Sequence, residues 1–346
     1  MMNFSIIFLF IVISKEEYIN EITIKIKGKG VQNILSDSKV CRDYTIGFNS
    51  FPNKVIINGK EETSLNNYSY EMTEEINNIT MKWDSPLTNC NLMFKDLVNI
   101  IDFDFSKFDT SKVNNMRCMF FNCSKIEYIN VSSFNTSNVR DMGFMFSDCN
   151  MLKSLNLYNF DTSLVTNMHH MFYKIFNMTY LNITSFNTSK VINMIGMFES
   201  CYSLESLDIS NFDTSSVQTM WAMFHLCKSL TSLDLSNFDT SKVTSMKMIF
   251  QQCYSLELLN INNFDTSKVV EDYYAFDLCY TSKILYCSNE TKTNILINFL
   301  SPNNNNCTYL CYLNPNHKII KETKDLESQG YQYSAEEKIK ELLPEV

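Results

Sequence analysis

Residues 212–237 read FDTSSVQTMWAMFHLCKSLTSLDLSN, and this stretch sets the reading of the chain. Its second half carries apolar residues at Leu230, Leu233 and Leu235 and ends on Phe238 of the next stretch. Successive side chains of a strand point to opposite faces. Leu233 and Leu235 therefore point inward, and Ser232, Asp234 and Ser236 point out. The motif F-[DN]-T-S recurs at Phe108, Phe134, Phe160, Phe186, Phe212, Phe238 and Phe264, a strict period of 26 residues without one insertion. A half-repeat precedes them, with Phe94, Ile100, Phe103 and Phe105 one period before Phe120, Ile126, Ile129 and Val131.

One such strand cannot bury its apolar face alone. Copies stacked in parallel, about 4.8 Å apart, share a continuous core and expose one long sheet. The rest of the unit, V-x-x-M-x-x-M-F, has apolar residues at i, i+3, i+6 and i+7, which predicts a helix of one to two turns ending near the Cys. The expected architecture is a solenoid, a parallel β-sheet on one face with short helices and turns on the other. Four segments follow. Residues 1–14 read as a secretory signal, because Phe4 to Ile13 has the length of an h-region and is too short to span a bilayer. Residues 15–85 form a β-rich N-terminal cap, with EITIKIKGKG and NKVIING as strands and turns. Residues 86–280 form the repeats. Residues 281–346 form an irregular C-terminal cap and a charged tail, in which Ser334, Glu337 and Pro344 delimit a helix.

Composition narrows the function. A net charge of −9 over 346 residues, with no basic cluster, disfavours nucleic acid as a partner. No stretch reaches the ~20 apolar residues of a transmembrane helix. The sequence has no P-loop, G-x-G-x-x-G, G-x-S-x-G or H-E-x-x-H motif, so no cofactor and no catalytic residue is expected.

The repeat resembles that of BspA-like leucine-rich-repeat surface proteins, in its 26-residue form. The resemblance rests on FDTSKV at 238–243, Met223-Phe224, Cys227 and SLTSLDLSN at 229–237, and covers about 86–280. It implies a leucine-rich-repeat solenoid displayed at a cell surface, with recognition or adhesion rather than catalysis as its role. It carries over no catalytic residue. Two departures put anchorage in question: no Cys lies near residue 15, and the C-terminus has no wall-sorting motif.

Six of twelve cysteines, Cys123, Cys149, Cys201, Cys227, Cys253 and Cys279, share one column, with Ile175 in the remaining unit. A disulfide ladder or metal site is one reading; buried reduced thiols in an apolar slot is the favoured one, since zinc wants paired local ligands. A disulfide is expected among Cys287, Cys307 and Cys311. The outward column Asp104, Asn130, Asn156, Asn182, Asp208, Asp234 and Asn260 reads as a ladder of stacked side chains, against a cation-binding alternative. The column Asp109, Asn135, Asp161, Asn187, Asp213, Asp239 and Asp265 precedes Thr-Ser everywhere and reads as Asx turns. His169-His170 reads as surface and packing, with no acidic partner nearby in sequence, and no metal is expected.

The candidate ligand-binding residues are Tyr128, Tyr158 and Tyr180 with Asn130, Asn156 and Asn182. Most outward positions are small, whereas Tyr128 and Tyr180 share one column and Tyr158 lies in the strand between them. A half-exposed strand position that merely tolerates Tyr is the plainer reading. The expected partner is a protein or glycan on a host or neighbouring cell or in the matrix, met outside the cell or at its surface. An intracellular scaffold and, more remotely, a polysaccharide-active β-solenoid enzyme are the alternatives.

Overall fold

The computed structural model describes residues 20–41, 47–64, 67–261 and 263–279, and the backbone of two short strands beyond them. The expected signal at 1–14, the helix at 334–344 and Cys287, Cys307 and Cys311 lie outside the described residues.

The chain opens with β1 (Asn20–Lys27), β2 (Gly30–Asn33), β3 (Lys54–Ile57), β4 (Lys60–Glu61), β5 (Ser69–Met72) and β6 (Ile76–Trp83), followed by β7 (Ile100–Asp104). Alternation forms them: in β1, Ile22, Ile24 and Ile26 are buried while Lys25 and Lys27 are exposed. β1 pairs antiparallel with β6 on one side and with β7 on the other, in a five-stranded sheet ordered β4-β3-β6-β1-β7. β2 and β5 pair separately. Because β7 lies in the half-repeat, this sheet joins the N-terminal strands to the repeats. Asn20 strengthens the joint: its side chain donates to Asp109 O and accepts from Asp109 N.

Successive 26-residue units then lie in register. Bridges run Asn115↔Asp141↔Asn167↔Asn193↔Thr219↔Ser245, all parallel. The strand expected in each unit is much reduced. β8 (Tyr128–Ile129) pairs with β9 (Ser154–Leu155), and β10 (Ser232–Asp234) pairs with β11 (Leu258–Asn260). β12 (Lys283–Leu285) and β13 (Thr308–Leu310) continue the parallel order from β11. Elsewhere among the described residues of the repeats only single bridges form.

The expected leucine-rich-repeat solenoid is therefore not formed. Among the described residues there is no helix, the broadest sheet is the antiparallel one, and no parallel sheet runs the length of the repeats. The backbone of the V-x-x-M-x-x-M-F segment shows why. In 116–123, the N–H groups of Met116, Cys118, Phe120 and Asn122 donate to carbonyls of the next unit at 2.8–3.0 Å. Those of Met119, Phe121 and Cys123 donate three residues back, to Met116, Cys118 and Phe120, at 3.0–3.2 Å. Alternate donors thus leave the segment, and none remains for an α-helical ladder. Cys118 and Asn122 also have φ of 55° and 58°, and their counterparts in other units do likewise, including Phe144, His170, Ala222 and Met248. A left-handed residue costs about 1–2 kcal/mol when it is not glycine and stops a right-handed helix; the bonds between units offset this.

The apolar columns supply the core. Phe94, Phe120, Phe146, Phe172, Phe198, Phe224 and Phe250 stack ring on ring, with centroids 5.5–6.1 Å apart. The Met columns and Leu230, Leu233 and Leu235 are buried, and Ser232 and Asp234 are exposed. The F-[DN]-T-S motif ties units together through its Thr. Thr162, fully buried, donates from Oγ1 to Asn187 O at 2.8 Å and accepts from Asn187 N at 2.7 Å. The Asx residue before each Thr caps the corner, as Asp161 Oδ1 accepts from Ser163 N at 2.9 Å and Asp239 Oδ1 from Ser241 N at 2.9 Å.

Candidate functional site

The tyrosines stand on the bridged face of the repeats. Tyr128 pairs with Ser154 across β8 and β9, Asn156 bridges Asn182, and Tyr180 bridges Ser206. Tyr128 and Tyr180 therefore belong to one row, two units apart, with Ser154 between them. Their exposure is 60%, 64% and 55% for Tyr128, Tyr158 and Tyr180. Lys153 Nζ lies 5.9 Å from the Tyr128 ring and bonds Glu127 at 2.7 Å, so a charged pair borders the row.

Asn130, Asn156 and Asn182 are exposed beside these rings. They do not form the stacked side-chain ladder expected. Asn130 Oδ1 accepts from Ser132 N, Asn156 Oδ1 from Tyr158 N, and Asn182 Oδ1 from Thr184 N, at 3.0–3.2 Å. Asp104, Asp208 and Asp234 cap in the same way. An Asx turn two residues long satisfies the backbone locally, which ends the strand there and keeps the parallel pairs short. Asp208 is held below the usual carboxylate range, its bonds to Ser210 outweighing desolvation. The Nδ2 groups of Asn130, Asn156 and Asn182 are unused within the described residues.

The cysteine column is buried at Cys123, Cys149, Cys201, Cys227, Cys253 and Cys279, and none of these is in a disulfide. The first five point each thiol at the carbonyl of a Phe 29 residues earlier, at 3.1–3.2 Å, as Cys149 does at Phe120 O. Burial pushes the Cys149 and Cys201 thiols up to about 12. These groups are neither nucleophiles nor ligands at neutral pH. Among the described residues no group of three or more His, Cys, Asp and Glu side chains is placed to hold a metal ion.

Two features escaped sequence reasoning. The first is a disulfide, Cys41–Cys118, fully buried with Leu92 and Phe144 and packed by Phe121. The second is a polar cluster beside it, where His169 and His170 pack against Phe144 as read from the sequence, but where an acidic partner the sequence did not show, Glu199, meets His170. Arg117 Nη2 lies 3.1 Å from His169 Nε2, and Arg117 Nη1 lies 3.7 Å from Asp141 Oδ2. His169 Nδ1 lies 2.5 Å from Asn167 Oδ1, and Asn167 Nδ2 donates to Asp141 Oδ1 at 3.1 Å. Glu199 joins two further histidines: Oε2 is 3.2 Å from His170 Nε2, and Oε1 is 3.3 Å from His225 Nδ1. Burial raises the Glu199 carboxyl, but its bonds to His170 and His225 outweigh this and bring it down to about 2. Two glycines make the room. A Cβ on Gly143 would stand 2.8 Å from Arg117 Nη1 and from His169 Cε1, and one on Gly196 would stand 2.6 Å from His170 Nε2.

Set beside known proteins, the chain matches the model of the family described as "Mycoplasma protein of unknown function, DUF285", over residues 63–179 and again over 175–284. The two stretches together cover more than half of the chain, and the protein belongs to this family. This corrects the resemblance drawn from the 26-residue motif: no BspA-like or leucine-rich-repeat family is matched. The motif residues on which that resemblance rested serve here as Asx caps, inter-unit Thr bonds and core columns. No curated protein and no solved structure matches the chain. Among the described residues no helix is long and apolar enough to cross a membrane.

Proposed function

We propose that this is a non-catalytic recognition or adhesion protein that works outside the cell or at its surface. It holds a protein or glycan ligand of a host or neighbouring cell, or of the matrix, on the face carrying Tyr128, Tyr158 and Tyr180. The observation that carries the reading is the exposure of these three rings, each more than half open to solvent, on a face where neighbouring outward residues are small. A Tyr ring offers a flat apolar surface and a polar tip, the combination enriched at the centres of interfaces. The unused Nδ2 donors of Asn130, Asn156 and Asn182 add hydrogen bonds for an acceptor-rich ligand.

The location outside the reducing cytoplasm is supported by the Cys41–Cys118 disulfide, since such bonds persist mainly in oxidising compartments. A cytoplasmic scaffold is the reading this bond disfavours. Adhesion of the wild type to host cells or matrix is compared with that of the Tyr128→Ser/Tyr158→Ser/Tyr180→Ser variant, after equal thermal stability has been established. Loss of adhesion in the variant is expected. Unchanged adhesion in a folded variant removes this face. Surface-protease treatment of intact cells tests the location separately.

A further inference from the structure

We propose that the rings of Trp221 and Tyr273 form a binding site for a quaternary ammonium group, such as that of choline, whose place the Lys247 ammonium holds in the free protein. The three residues follow one another at intervals of 26, so they stand one above the other in three successive units. Lys247 Nζ lies 5.0 Å from the Trp221 ring centroid and 4.6 Å from that of Tyr273. Two unit steps are about 10 Å, close to the largest separation of the rings that these two distances allow. The ammonium therefore sits between the rings and not beside them. A cation within about 6 Å of a ring centroid is drawn to the negative face of the ring. Each ring thus already does for Lys247 what it would do for a ligand.

Three observations single out this column. Lys95, Lys153 and Lys174 also lie near a ring, but each has a carboxylate beside it, from Asp96, Glu127 and Asp148. Lys247 is placed between two rings and, among the described residues, has no carboxylate partner. The rings are open to a ligand as well: Trp221 is 40% and Tyr273 46% exposed, and Tyr274 stands edge-on to Tyr273 at 5.9 Å. The unit that carries Tyr273 holds Asp265, Glu271, Asp272 and Asp277 against Lys268, so the field at that end of the slot favours a cation. The column belongs to the V-x-x-M-x-x-M-F segment, a different part of the unit from that carrying Tyr128, Tyr158 and Tyr180.

A quaternary ammonium suits this slot better than the lysine does. A primary ammonium is compact and strongly hydrated, and it gives up part of that water between the rings. A quaternary ammonium has no N–H group to leave unbonded. It spreads its charge over methyl groups, which bury apolar area against both ring faces. Lys247 swings out at little cost, because its ammonium breaks no ion pair and its side chain regains water and rotamer freedom.

Trp221 reports on its own occupancy, since Trp83 is 2% exposed and donates its indole N–H to Ser50 O. The test is a titration of the full-length disulfide-bonded protein with choline chloride at fixed ionic strength, followed by tryptophan fluorescence. A saturable change is expected, with none for the uncharged carbon isostere dimethylbutanol. Lys247→Ala empties the slot and is expected to bind choline about tenfold more tightly, if the lysine fills the slot about nine-tenths of the time. Tyr273→Leu removes one ring and is expected to weaken binding about tenfold. A wild type without a saturable response overturns the proposal, as does an equal response to the isostere. So does wild-type affinity in a folded Tyr273→Leu variant; if that variant does not fold, Lys247→Ala decides, and weaker binding there overturns the proposal. Vesicles then separate the sources of the group. Sedimentation with phosphatidylcholine but not phosphatidylglycerol vesicles, reversed by free choline, assigns a lipid headgroup. Choline binding without sedimentation assigns a soluble or polymer-borne choline.

Discussion

Thr162 offers the sharpest test of how the units hold together, because one hydroxyl makes two bonds to the unit that follows. Thr162→Val keeps the shape of the side chain and removes both the donation to Asn187 O at 2.8 Å and the acceptance from Asn187 N at 2.7 Å. The residue is fully buried, so no water replaces them. Each buried polar group left unpaired costs about 1–3 kcal/mol, and the two together about 2–4 kcal/mol once some relaxation is allowed. Thr162→Ser keeps the hydroxyl and deletes one buried methyl, at about 1 kcal/mol. Equilibrium urea unfolding followed by far-UV circular dichroism should place the variants in the order wild type, Ser, Val. A Val variant as stable as the Ser variant, or more so, would refute the reasoning, since the methyl and not the hydroxyl would then be what the position needs.

Three further outcomes are expected. Leu233→Asp should lower the thermal midpoint steeply, because Leu233 is 2% exposed, while Ser232→Asp beside it should stay within about 0.5 kcal/mol of wild type; equal loss in both would reverse the inward and outward assignment. Iodoacetamide should leave Cys123, Cys149, Cys201, Cys227 and Cys253 unlabelled in the native protein and label them after denaturation without reductant, whereas Cys41 and Cys118 should need reductant as well, all read by peptide mass mapping. For Glu199, the folded carboxyl at about 2 lies below its ordinary value of 4.5, so its stabilising effect is full above pH 4.5 and is lost as pH falls through about 2. Glu199→Gln should thus be less stable than wild type by about 3 kcal/mol at pH 5, with the gap closing toward pH 2 in urea titrations at each pH.

The columns of the repeat were legible because a strict period puts each position in many copies at once. Leu233 and Leu235 inward, Ser232 outward, the Asp161 and Asp239 corners and the thiol slot could all be read from it. The backbone conformation could not. Apolar residues three and four apart suit a short helix, but they suit equally a run of turns that returns to the core every third residue. Glycine would have signalled the left-handed positions, yet Cys118, Phe144, His170, Ala222 and Met248 occupy them and only Gly196 is glycine. Twelve cysteines do not reveal that Cys41 seeks Cys118. The histidine partners are separated by one or two units: Arg117 and His169 by 52 residues, His225 and Glu199 by 26, His170 and Glu199 by 29. They meet only when the sequence is read across the units instead of along the chain.

The alternation of backbone donors, one closing a turn and the next reaching the neighbouring unit, has a mechanical consequence. Each unit is attached to the next by nearly the same set of bonds, so tension applied along the stack meets the same resistance at every step. Pulling should peel the units off one at a time and release about 90 Å of chain with each, at close to 3.5 Å per extended residue. The Cys41–Cys118 bond sets a limit at one end, because the chain between those two residues cannot lengthen under load. The molecule then acts as a tether with a fixed head and a body that yields in even increments.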